Sequence, residues 1–465
     1  MKALGILTIS FLFFFFSCKK ETFITSPYAS VFITADTLKY DTVFVTSGSI
    51  TQSFKIINNN NQKLRISSVK LMGDASSAYK INVDGTIGPE VNNLEIEAND
   101  SLYVFVQVNI NQNTNNLPFV VKDSIRVNYN GNTKWVQLEA WGKNAHFFRN
   151  KEISADEIWN NDLPYVILGY LHVQSNKTLT INKGCRIYIH ADAPLIVDGT
   201  LQVNGSKDTI DRVYFTGDRL DDPYKDFPAS WPGIFFYSGS KDNVLSYAVI
   251  KNSYQAIALQ DPSPNANPKL ILNECVIDNS YDAGILAVNS SIQARNCLVS
   301  NCGKNIFLVK GGDYQFTHCT AASYSNSFIQ HKNPVLAVSN YITVNNVPVA
   351  ANLNAVFRNC IFWGEGGFVD DEVIAVKNAG AAFNVNFDYN LWKIMNAPAN
   401  VTATQIITNQ NPLFDSVNVQ RNYYNFRLKA NSPAVNKGVN SSVSIDLDGL
   451  PRPVGLPDLG CFEKH

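Results

Sequence analysis

The stretch of this sequence richest in reactive groups is "GDRLDDPYKDFPASWPG", which holds Asp218, Arg219, Asp221, Asp222, Lys225, Asp226 and Trp231 between two short apolar runs. It is too long for a plain turn. Carboxylates serve as general acid and general base, and glycosidic bond cleavage calls for a pair of them. Beside an arginine and a tryptophan they could also hold calcium or lie against a sugar ring. The plainer reading, which we favour, is a structural loop whose tryptophan packs on the body of the protein while its charges face water. A second acidic group, Glu365, Asp370, Asp371 and Glu372 in "GEGGFVDDEV", reads as a solvated turn.

Other catalytic signatures are missing. The sequence has no GxSxG, P-loop, GxGxxG or HExxH motif, so nucleophilic, nucleotide and zinc-protease chemistry find no support. His146, His172, His190, His318, His331 and His465 show no ligand spacing, and His190 with Asp192 is the one suggestive pair. Besides Cys18, seven cysteines remain: Cys185, Cys275, Cys297, Cys302, Cys319, Cys360 and Cys461. An odd number without a CxxC pair indicates neither a disulfide framework nor a metal centre. They read as small buried apolar residues. Lysine plus arginine (38) nearly equals aspartate plus glutamate (39), so no global field draws nucleic acid.

What must position these residues is β structure. At 465 residues the chain exceeds one ordinary core, and 17% charged with 12% aromatic residues is a β-rich composition. The start, "MKALGILTISFLFFFFSCKK", has an apolar run too short to span a membrane. Its Ser17-Cys18 ending resembles the lipobox of bacterial lipoproteins. That resemblance implies a signal peptide over 1–17, acylation of Cys18, a polar tether over 18–30 and outer-membrane anchoring, at the cell surface or the periplasmic face. From 31 to 147 short alternating runs, with a hairpin signal at Asn130-Gly131, predict an immunoglobulin-like β-sandwich. It reads as a stalk. "EISADEIWNN" carries Ser154 and Glu157 at capping-box spacing, which predicts a short helix.

Beyond it a phrase recurs: "AVIKN" from 248, "CVIDN" from 275, "CLVSN" from 297, "CTAAS" from 319 and "CIFWG" from 360. A repeat near ~22 residues with short strands signals a solenoid. Stacked coils would align Cys275, Cys297 and Cys319 in one ladder and Asn252, Asn279 and Asn301 in another, the asparagines at a tight turn. Leu259, Leu286 and Leu308, each 11 residues into its repeat, would form a third. The long step before "CIFWG" predicts one weak coil plus a loop.

From about residue 152 onward these ladders resemble the pectin-lyase-like superfamily of right-handed parallel β-helices. The fold expected for residues 148–465 is therefore all-β, a right-handed β-helix behind the N-terminal β-sandwich, with the short helix capping the first coil. "NSPAVNKGVN" and the later "IDLDGLPRPVGLPDLGCFE" resemble the closing segment of secreted members, which implies that they seal the last coil, with Asp446 and Asp448 shaping a turn. Enzymes of this superfamily cleave polysaccharides on the outer face of the coil, some of them with calcium. The favoured reading is nevertheless a non-enzymatic, lipid-anchored envelope protein presenting a β-helix face to a glycan or another envelope protein. The alternatives are a polysaccharide lyase or glycoside hydrolase using loop 218–231, and a scaffold without a ligand.

Overall fold

A computed structural model describes residues 22–44, 51–109, 119–220 and 224–465. Cys18 with its signal segment, and Asp221 and Asp222 of the acidic loop, lie outside the described residues. The chain divides after Asn144 into two compact units.

The first unit has two five-stranded sheets among the described residues. Strict alternation sends Leu102, Val104, Val106 and Val108 of strand Ser101–Val108 into the core, while Tyr103 and Phe105 face outward. Strands Phe119–Tyr129 and Asn132–Lys143 form the expected hairpin, with Asn130 and Gly131 both at positive φ. One pairing departs from the antiparallel pattern: Thr37–Phe44 lies parallel to Asn132–Lys143. The Tyr40 hydroxyl crosses the core and donates to the Val106 carbonyl at 2.6 Å.

The second unit is a right-handed parallel β-helix. Its strands pair in parallel with their counterparts one coil on, as in the series Val249, Val276, Leu298, Thr320 and Ile361. Three sheets result. One runs from residues 151–153 through Leu195–Val197 to Val373–Val376, a second from Glu157–Trp159 to Thr402–Thr404, and the third carries the repeated phrase. Inward residues of all three share a single column of core, because each coil buries its apolar edge only against the next. Cys275, Cys297, Cys319 and Cys360 stack within that column, and all seven described cysteines are free and buried.

Four expectations need correction. The capping helix does not form: Glu157–Trp159 is a strand paired with Leu179–Ile181. Lys151 holds the Glu157 carboxylate at 2.7 Å, and Trp159 stacks on Tyr165 with centroids 4.4 Å apart. Pairing along a whole coil outweighs one capping box.

The 41-residue step between Cys319 and Cys360 hides no coil, because strand Thr320–Tyr324 pairs directly with Ile361–Glu365. The extra residues include a hairpin, Tyr341–Val344 with Val347–Ala350. In the leucine series Ala287, not Leu286, takes the interior place between Leu259 and Leu308, so Leu286 faces outward. A one-residue difference in the preceding turn reverses the side-chain face.

Finally, the C-terminal segment does not seal the last coil. It runs back along the flank of the third sheet, where Leu447, Leu459, Cys461 and Phe462 cover outward-facing Leu298, Ala322 and Ile361. Those three would otherwise leave an apolar stripe in water. Asp446 does shape a turn, accepting from the Asp448 and Leu450 amides at 2.9 Å each.

Candidate functional site

The site is built on the left-handed turn that ends three successive strands of the third sheet. Asn252, Asn279 and Asn301 adopt φ of 63°, 57° and 51°, a conformation asparagine tolerates better than other residues with a side chain. Asn279 Nδ2 donates to Asn252 Oδ1 at 2.8 Å, but Asn301 turns to Asp278 at 3.4 Å and accepts from the Tyr324 amide. The same amides reach sideways. Asn252 Nδ2 donates to the Lys225 carbonyl at 2.7 Å and Asn279 Nδ2 to the Asp226 carbonyl at 2.9 Å. The asparagine ladder thus holds the one-turn helix Tyr224–Asp226 of loop 218–231 against the coil.

Within that loop the predicted site residues separate. Trp231 is buried, and its indole donates to the Lys251 carbonyl at 2.8 Å, as the structural reading expects. Asp218 meets His190 at 2.7 Å, so the histidine's partner is Asp218 rather than Asp192. Burial pushes the Asp218 carboxyl up and His190 opposes the shift. Arg219 lies over the Tyr224 ring at 3.4 Å. Of the described ones, only Asp226 reaches an open cleft. The two described carboxylates with predicted roles thus have different surroundings, Asp218 beside His190 and Asp226 in the cleft with Lys251.

The cleft has a volume of about 170 Å³. Lys251 and Asp278, stacked on adjacent coils, pair at 3.1 Å on its floor, and Ser300 donates to Asp278 at 2.7 Å. The charge of Asp278, with help from Asp226, raises the Lys251 pKa against the effect of burial, which keeps the amine protonated. Asn326 and Phe328 contribute a further wall, Phe328 resting on Phe227 of the loop with centroids 5.1 Å apart. Arg421, Asn422 and Tyr424 arrive from the C-terminal hairpin, where Asn418 caps the turn by accepting from the Arg421 amide. Burial raises the Tyr424 phenol, with the Asn326 amide opposing, yet Tyr424 Oη makes no hydrogen bond of ordinary geometry.

Sequence reasoning missed Lys251, Asp278 and the whole C-terminal wall. A signal for the first two was present. In "AVIKN" and "CVIDN" the residue before the asparagine changes from lysine to aspartate, so stacking places opposite charges side by side. The second acidic group is solvated only in part, with Asp370 exposed. Glu372 is fully buried against His331 at 2.8 Å, and Asp371 caps the Met395 and Asn396 amides. Those groups belong to the architecture.

A family model described as "Right handed beta helix region" matches residues 149–321. No curated protein matches the chain. Among solved structures, a family 123 glycoside hydrolase from Clostridium perfringens is 13% identical with a TM-score of 0.20, over 29% of this chain and 31% of that one. This chain therefore spans under a third of that enzyme. The PapD-like domain 7 of human CEP192 is 11% identical over 26% of this chain and 92% of that one, with a TM-score of 0.19. The Salmonella enterica SafA pilin in complex with the SafB chaperone is 14% identical over 26% and 56%, with a TM-score of 0.17. Likeness at these scores says nothing of activity.

Proposed function

We propose that this chain is a lipid-anchored protein of the bacterial cell envelope that binds a glycan in the cleft beside the asparagine ladder, without cleaving it. The observation that carries the reading is the convergence of asparagine amides, two ion-pairing side chains and two aromatic rings on one small cleft. Amides and charged groups match sugar hydroxyls, and ring faces match the apolar face of a pyranose. Cleavage has less support. Asp278 is engaged by Lys251 and Ser300, and an amine held protonated cannot take the proton that a lyase must remove. The membrane partner is reached through Cys18, in the outer membrane.

The test uses residues 21–465 with a panel of plant, algal and animal polysaccharides, with and without calcium. Binding is followed by retardation in polysaccharide-containing gels, and turnover by new reducing ends and unsaturated uronate absorbance. Retardation without product supports the reading, whereas product on any polymer makes the protein an enzyme. Replacing Cys18 by serine in the full chain moves the protein from the membrane to the soluble fraction if the anchor is as read.

A further inference from the structure

Resting on that reading, we infer that the glycan taken by this cleft is uncharged at the sugar bound there, and that the cleft discriminates against acidic sugars. The charges lining it balance: Lys251 and Arg421 against Asp226 and Asp278. Lys251 is already matched by Asp278 on the neighbouring coil. A ligand carboxylate would compete with Asp278 for the same ammonium and would also meet Asp226. Arg421 pairs with no carboxylate among the described residues, but one exposed guanidinium at the rim recovers little of what it costs to strip water from a second anion.

Neutral hydroxyls meet the opposite situation. An amide side chain offers two donors and an acceptor, and Asn252, Asn279, Asn301, Asn326 and Asn422 all line the cleft. Asn252 and Asn279 are fixed by holding the loop, and Asn326 by accepting from the Ile329 amide, before a ligand arrives. The Tyr424 hydroxyl, with the Asn326 amide beside it, adds a group that burial keeps in its neutral, hydrogen-bonding form.

The experiment compares polygalacturonate, alginate and hyaluronan with their carboxyl-reduced counterparts, polymers of the same linkage without the charge, on residues 21–465 in retardation gels. The expected result is retention by at least one reduced polymer and binding to its acidic parent weaker by about tenfold or more. Asp226→Asn leaves the cleft with a net positive charge and should narrow that gap, while Tyr424→Phe should weaken binding to the reduced polymer. Equal or tighter binding of the acidic parent overturns the preference but leaves glycan binding intact. Retention that neither substitution alters places the sugar elsewhere and overturns the inference. Failure of every polymer, reduced or acidic, removes the glycan reading itself.

Discussion

Three successive strands of the third sheet, Ala248–Lys251, Val276–Asp278 and Leu298–Ser300, lie between two left-handed turns, and the two turns lead different lives. The turn at its end repeats one residue type, Asn252, Asn279 and Asn301, and carries the loop and the cleft. The turn at its start passes through Tyr247, Glu274, Asn296, His318, Asn359 and Tyr389, all with φ between 49° and 55°. For tyrosine, glutamate and histidine that conformation costs roughly 1–2 kcal/mol each. Here the C-terminal segment holds three of the six. Asn296 donates to the Ile445 carbonyl, Asn359 to the Val439 carbonyl, and Arg452 to His318 Nδ1. One turn is stabilised by likeness between successive coils, the other by contact with a distant segment. The first is therefore free to present a face to a ligand, while the second is closed.

The largest way to break this contrast is at Arg452, which is buried with Glu463 at 3.3 Å, both side chains at 0% exposure. Arg452→Ala leaves that carboxylate unpaired, and a loss of about 3–5 kcal/mol in urea unfolding is expected. A loss under about 1 kcal/mol would show that the segment does not hold the starting turns. At the opposite turn, Asn279→Ala should cost about 2 kcal/mol, combining backbone strain with lost side-chain bonds, and should weaken glycan retention. Asn279→Gly recovers the backbone part without the amide. Retention restored by glycine would mean that the amide does not position the loop.

Acid sharpens the comparison at similar size. Burial and the Arg452 charge pull the His318 imidazole down from its ordinary value to about 2. Below a pH of about 6.5 the unfolded chain therefore binds a proton that the folded one refuses. Stability falls as pH drops through this window, by about 2 kcal/mol between pH 7 and 5 from this group alone. Burial also raises the Glu274, Asp458 and Glu463 carboxyls, which act in the opposite sense as they protonate. The comparison with His318→Asn, the residue found at two equivalent positions, isolates the imidazole. If the variant loses as much stability on acidification as the parent, burial of His318 is not the cause. The smallest effect belongs to the interior. Cys297→Ala should cost about 1 kcal/mol and leave glycan retention unchanged.

How much of this was legible follows from which contacts are local. The cysteine and asparagine ladders could be read because parallel coils set equivalent residues side by side, and a repeated need leaves a repeated residue. Asp226 was found for its charge, although its place in the cleft was not. The starting turns escaped notice because their six residues share a backbone conformation but not a side-chain type. Arg421 and Tyr424 escaped because their role depends on a segment about 120 residues or more from the asparagines they adjoin.

By itself the sequence determined that the chain is β-rich, that it coils with a repeated phrase, and that its cysteines stay inside and its asparagines at the bends. Short-range periodicity and backbone preference suffice for that. Only the tertiary structure decided that the last segment lies along the flank, and that a Lys251–Asp278 pair and the C-terminal hairpin enclose the cleft. Those outcomes depend on which apolar stripe most needs cover and which buried charge most needs a partner. Both are settled by burial and pairing across the whole fold.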